Sequence, residues 1–277
     1  MGTGHLDVLV NNTGIAEPAR PAAETTTHDL LTGTTPTSSA PYASSAPSCG
    51  AHRWLLLRHR PPPLVTLPEN GAPMTAQRVD LVCARCYIGF TRFRRAAHRH
   101  RGDVELAFLP FQAAPDASAA GEPLFEVHKR GFGEATARHI ASDTTLGAAD
   151  GLELNFRRAV FTHTFDAHRL LAQTAVQGRG EPMTERLFRA YFADGLRLSG
   201  RPTLARLAAE TGVVTGDTGT DELRAELARV RTLGIDADSI PVFRFRNGIV
   251  LRGEQSEETY AAALEENHND PNGRAFR

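Results

Sequence analysis

The chain has 277 residues, with 31 Lys plus Arg against 32 Asp plus Glu and a formal net charge of −1. A balance this close to neutrality offers no basic surface for nucleic acid, and no apolar run approaches the roughly 20 residues of a membrane-spanning helix. The length fits one large domain or two small ones, and three cysteines do not make a disulfide framework.

Residues 1–73 do not read as a coherent domain. His5-Leu6-Asp7-Val8-Leu9-Val10-Asn11-Asn12-Thr13-Gly14 resembles the strand and Asn-Asn-x-Gly segment of short-chain dehydrogenases. Neither a Gly-rich phosphate turn before it nor a Tyr-x-x-x-Lys pair after it is present, so hydride chemistry has no route. From Ala23 to Pro73 the chain is rich in Thr, Ser, Pro, Ala and Gly, as in Thr32–Ser39 and Pro61-Pro62-Pro63. Such a composition offers too little apolar area to offset ordering entropy, and predicts a poorly ordered leader in which Cys49 is a free surface thiol. Met74 reads as an ordinary protein start, with 1–73 as a fusion or gene-boundary artefact. The first residues lack a charged region followed by an apolar one, which argues against a secretory signal. The expected compartment is the cytoplasm, where a Cys-x-x-Cys is more often catalytic or metal-binding than structural.

Val79 to Val82 reads as a short apolar strand running into Cys83-Ala84-Arg85-Cys86 and then a helix. A Cys-x-x-Cys at a strand-to-helix turn is the geometry of a thiol–disulfide redox site. Cys83 would meet unpaired N–H groups and the positive end of the helix, which favours its thiolate. It is expected to be the more exposed cysteine and the nucleophile, with Cys86 one turn on as the resolving thiol. Arg85 adds positive charge beside the thiolate and is expected to tune it. The competing reading is half a zinc site. His98-Arg99-His100 is not the usual His-x3-5-His spacing, and no second Cys-x-x-Cys exists, so no metal is expected.

Beyond the motif, Tyr87, Phe90, Phe93 and Ala97 recur at helical spacing, with Arg92, Arg94, Arg95 and Arg99 on the other face. Val104, Leu106 and Phe108 alternate as a strand. The periodicity from 124 to 234 is helical, with helices expected over 132–146, 166–177, 182–194, 203–211 and 221–233. Val242, Phe243 and Phe245 then form a strand before Asn247-Gly248, a strong hairpin signal, and Ile249-Val250-Leu251 returns. Ser256-Glu257-Glu258 caps a last helix to about 266, and 267–277 reads as a flexible tail.

In this order the segments resemble the DsbA-like thioredoxin superfamily. The closer resemblance is to its FrnE-like oxidoreductases, which are related to 2-hydroxychromene-2-carboxylate isomerases. Cys83-Ala84-Arg85-Cys86-Tyr87-Ile88-Gly89 is similar to the family's Cys-Pro-Trp-Cys-Tyr-Ile-Gly, and Leu109-Pro110-Phe111-Gln112 to its Arg-Pro-Phe-Gln. Thr164–Leu171 matches its Ala-His-Arg-Leu helix, and Glu185–Phe192 its next insertion helix. Leu233 to Phe243 resembles its Gly-Ile-x-Gly-Val-Pro-x-Phe, and Gly253-Glu254-Gln255 its Gly-Ala-Gln. The chain departs from that pattern at Ala84-Arg85, at His163, and in the longer linker 236–239 before Pro241.

The resemblance implies an α/β thioredoxin-like domain over 74–266 with an all-helical insertion at about 116–234. It implies a cis Pro241 whose preceding residue, Ile240, presents backbone to substrate beside the cysteines. It implies that the helix with His168 and Arg169 faces the cysteines; the alternative is a satisfied, partly buried His168 and a solvated Arg169. The expected activity is thiol–disulfide exchange with protein or small-molecule thiols and disulfides, without a tightly bound cofactor, on a chain compatible with a homodimer. The alternatives are a glutathione-dependent or isomerase-type enzyme on the same scaffold, whose relatives place Ser where Cys83 stands, and a non-catalytic binding protein.

Overall fold

The computed structural model describes residues 74–269. The dehydrogenase-like fragment, Cys49 and the remainder of 1–73 lie outside the described residues, as does the tail beyond 269. The order is β1 (Met74–Val79), α1 (Ala84–Arg99) and β2 (Glu105–Pro110), then a long insertion, then two further strands and a final helix. The insertion holds β3 (Glu122–Pro123), α2 (Leu124–Phe132), α3 (Glu134–Ser142), β4 (Val160–Phe161), α4 (Phe165–Thr174), α5 (Gly180–Phe192), α6 (Arg201–Glu210) and α7 (Thr220–Arg231). The chain then re-enters the sheet with β5 (Val242–Phe245) and β6 (Val250–Arg252) and ends on α8 (Glu257–His268).

The sheet order is β2-β1-β5-β6. β1 runs parallel to β2, with Met74 opposite Glu105, and antiparallel to β5, with Thr75 opposite Phe245. β1 is therefore flanked on both edges. Its polar residues are buried, Thr75 and Gln77 completely and Arg78 nearly so. Buried polar groups persist where they find partners. Gln77 Nε2 donates to the Cys86 carbonyl at 3.2 Å. Arg78 donates to the Pro110 carbonyl at 2.8 Å and pairs with Glu226 of α7 at 3.1 Å. This corrects the expected strand over 79–82. The strand comes earlier because tertiary partners tolerate the polar residues, and Leu81 and Val82 belong to the turn that follows.

α1 is shared between two cores. Phe93 and Ala96 pack with Phe243, Phe245, Tyr260 and Leu264 of β5 and α8. Tyr87 and Phe90 pack with Phe188 and Phe192 of α5 in the larger cluster. Each buried aromatic contributes on the order of 1.5–3 kcal/mol through area removed from water. The helix ends at Arg99 because His100 turns to an extended backbone, φ −67° and ψ 140°.

The insertion differs from expectation in two places. The single helix expected over 132–146 is two helices, α2 and α3, because Gly133 takes φ +83°, a conformation that interrupts a helix and that glycine adopts freely. The insertion is also not wholly helical: Glu122 pairs with Phe161, and Pro123 with Val160, in a short antiparallel ribbon. α4 to α7 fall close to the expected spans. At the C-terminus α8 extends to His268. Asn267 is buried, and its Oδ1 accepts from the Asn247 N–H at 3.0 Å, anchoring the hairpin turn.

Candidate active site

The Cys-x-x-Cys lies where the end of β1 turns into α1. Cys83 N–H donates to the Asp80 carbonyl at 3.2 Å, closing the turn. Cys83 is the N-cap of α1, in extended conformation, and its Sγ accepts from the Cys86 N–H at 3.3 Å. That is the position a Ser or Asp oxygen takes in an ordinary cap, so the sulfur faces donors that the first helical turn leaves unpaired. The expectation of a more exposed Cys83 is not met: both cysteines have 0% of their surface exposed. Burial pushes the Cys86 thiol up, and the neighbouring Cys83 sulfur and the charge of Asp80 add to that push.

The Ile240–Pro241 peptide is cis, and Ile240 is fully buried. The loop lies against α1: a Cβ added to Gly89 would meet Pro241 Cγ at 3.0 Å and the Tyr260 hydroxyl at 3.1 Å. Gly89 is thus the close approach between the cysteine helix and the Pro241 loop. The Gly253 N–H donates to the Pro241 carbonyl at 2.8 Å, fixing the loop's other side.

Arg85 does not stand alone beside the sulfurs. Its Nε donates to Glu254 Oε2 at 2.5 Å and its Nη1 to the Asp238 carbonyl at 3.1 Å. His168 and Arg169 diverge. His168 is buried, and its Nε2 lies 2.9 Å from the Phe111 carbonyl and 3.7 Å from Asp80 Oδ1. This is the satisfied histidine of the two expectations, and it touches the cysteine turn only through Asp80. Arg169 donates to the Gly216 carbonyl between α6 and α7 at 2.8 Å, a structural tie within the insertion.

Three contributors were not singled out from sequence. Asp80 is 1% exposed; its carboxylate accepts from Ala113 N–H at 2.9 Å and from the Thr164 hydroxyl at 3.1 Å, joining the cysteine turn to the insertion. Gln77 holds the Cys86 carbonyl. Glu254 holds Arg85. The only sequence signal for Asp80 was its place three residues before Cys83, and for Glu254 its place in the Gly253-Glu254-Gln255 segment; for Gln77 there was none. Among the described residues no three His, Cys, Asp or Glu side chains converge in a way that could hold a metal ion. A cleft of about 360 Å³ between β2 and the α4–α5 turn contains none of these residues and lies outside the site. No helix among the described residues is long and apolar enough to cross a membrane.

A mixed sheet with a Cys-x-x-Cys at the head of its first helix, a proline loop packed against that helix and an insertion rich in helices defines a thioredoxin-fold protein of the DsbA type. The DSBA-like thioredoxin domain model matches residues 79–265, and the chain belongs to that family. Solved structures with the same fold include a probable DsbA oxidoreductase from Streptomyces coelicolor, at TM-score 0.62 and 24% identity, covering 72% of this chain and 91% of that one. Another is a candidate protein disulfide isomerase from Nitrosomonas europaea, at TM-score 0.54 and 15% identity, covering 71% and 97%. No curated protein matches the chain in sequence.

Proposed function

We propose that this chain is a thiol–disulfide oxidoreductase in which Cys83 attacks and Cys86 resolves. The observation that carries this reading is the capping geometry. Cys83 Sγ already accepts the Cys86 N–H at the head of α1, so negative charge on that sulfur is met by a donor and by the positive helix end. The Cys83 thiolate attacks one sulfur of a disulfide, breaking that bond, releasing one thiolate and leaving a mixed disulfide. Cys86 then loses its proton and attacks Cys83 Sγ, forming the Cys83–Cys86 disulfide and releasing the second thiol. Two electrons pass from the pair to the substrate, and a thiol reductant such as glutathione returns them. Burial keeps Cys86 protonated, which suits a thiol that acts only after the mixed disulfide has formed. The backbone at Ile240 is the proposed rest for the substrate strand. His168, through Asp80, and Arg169, through the α6–α7 loop, support the wall of the site and do not contact the reacting sulfurs. Protein or small-molecule disulfides in the cytoplasm are the proposed substrates.

The complete burial of both sulfurs favours a second reading, a binding protein that merely retains the pair. Insulin reduction decides between them. Wild type should turn over, Cys83→Ser should be inactive, and Cys86→Ser should accumulate a mixed disulfide through Cys83. Equal rates for wild type and Cys83→Ser would remove the oxidoreductase reading.

A further inference from the structure

Three segments that are remote in sequence meet at the Arg85 guanidinium. It leaves the first turn of α1, reaches the carbonyl of Asp238 in the linker before Pro241, and bonds the Glu254 carboxylate after β6. Gly253 makes room for the arrangement, since a Cβ there would lie 2.7 Å from Arg85 Nη2. Arg85 and Glu254 are partly shielded, with side chains 20% and 26% exposed, so their charges are less screened than those of a surface pair. Arg85 stands in the first turn of α1 between the two cysteines, two residues after Cys83 and next to Cys86.

We propose that Glu254 is a positioning residue that sets the reduction potential of the cysteine pair by neutralising Arg85. The inference rests on the oxidoreductase reading of the same site and extends it. With Glu254 ionised, the charge of Arg85 beside the cysteine pair is held in a salt bridge, close to neutral as a unit. Without that carboxylate an unbalanced cation stands on the same helical turn as the cysteines, which stabilises the thiolate and hence the reduced pair, and the disulfide becomes more oxidising. Without the Arg85 cation, the remaining carboxylate works in the opposite sense. The carboxylate acts through Arg85 and does not touch the reacting atoms.

The test is the equilibrium in which the protein dithiol and glutathione disulfide give the protein disulfide and two glutathione thiols. It is measured for wild type, Glu254→Gln, Arg85→Gln and the double variant, each with Cys49→Ser. Glu254→Gln should lower the constant at least threefold, Arg85→Gln should raise it at least threefold, and the double variant should return to within twofold of wild type. A salt bridge that serves only as a latch would loosen in both single variants and move them in the same direction, or in neither. Either of those results overturns the proposal. Iodoacetamide alkylation of Cys83, followed at neutral pH by mass spectrometry, gives a readout that needs no disulfide. Glu254→Gln should react faster than wild type and Arg85→Gln slower; simple loosening would speed both. Failure of the oxidoreductase reading looks different: wild type does not reduce insulin, while the two single variants can still shift in opposite directions.

Discussion

The two faces of α1 are built differently. Toward β5 and α8 the helix presents Phe93, stacked on Phe243 at 5.1 Å and edge-on to Tyr260 at 5.6 Å between ring centroids, in a small and almost wholly apolar core. Toward the insertion it presents Tyr87, stacked on Phe188 at 4.7 Å, with its hydroxyl donating to Glu185 Oε1 at 2.8 Å. Arg94 also pairs with Glu185 at 3.2 Å, while Arg92 and Arg95 hold the buried carboxylate of Asp150. One face is cemented by area, the other by aromatic stacking with charged latches around it. Apolar packing is non-directional, whereas hydrogen-bonded and ionic contacts fix a register. On the insertion side the latches surround the stacked rings themselves, whereas on the α8 side the ion pairs, Arg99 with Glu257 and His100 with Glu265, lie at the C-terminal end of α1, apart from the apolar cluster.

The sharpest way to break this contrast is in the apolar face. Phe93→Ala should cost about 4 kcal/mol, because a fully buried aromatic leaves a cavity flanked by three more rings. Urea denaturation should show this as a shift of the whole cooperative transition. Phe188→Ala should cost about 3 kcal/mol, and hydrogen exchange should place the loss of protection in α4 and α5 more than in β1 and β5. Gly89→Ala should cost about 2 kcal/mol by overpacking against Pro241 and Tyr260, and insulin reduction should slow as the Pro241 loop is displaced. Tyr87→Phe, which keeps the stack and removes one latch, should cost only about 1 kcal/mol; a loss as large as that of Phe188→Ala would erase the distinction between area and latch.

The effect expected to vanish at neutral pH is a pH dependence that arises in the insertion. Burial in α2 lowers His128 from its ordinary value of 6.5 to about 4. The unfolded chain therefore takes up a proton there at a higher pH than the folded one. The stability associated with a neutral His128 is fully present above pH 6.5 and declines as pH falls toward 4. His128→Gln should flatten that part of the stability profile, measured by denaturation at fixed pH values.

Some of this was legible from local pattern and some was not. The Cys83–Cys86 motif, the Asn247-Gly248 hairpin and the caps at Cys83 and Ser256 depend on neighbours in sequence, and they stand where pattern placed them. Ser256 Oγ accepts from the Thr259 N–H, as a cap residue should. β1 was misplaced because the buried Gln77 and Arg78 find their partners in Cys86, Pro110 and Glu226, most of them remote in sequence. The concealment of Cys83, the turn of His168 toward Phe111, and the pairing of Arg85 with Glu254 are likewise products of contacts between distant segments. Periodicity reports which face a residue occupies, but not which charge it meets there.

Arg92 carries a consequence for how the halves of the molecule communicate. It makes three bonds to the Asp150 carboxylate in the insertion and a fourth, at 3.3 Å, to the carbonyl of Gln255. The residue before Gln255 is Glu254, the partner of Arg85. A displacement of the segment bearing Asp150 must therefore either open this fork or drag on the loop that carries Glu254. The insertion and that loop are thus geared to each other, with one guanidinium as the tooth.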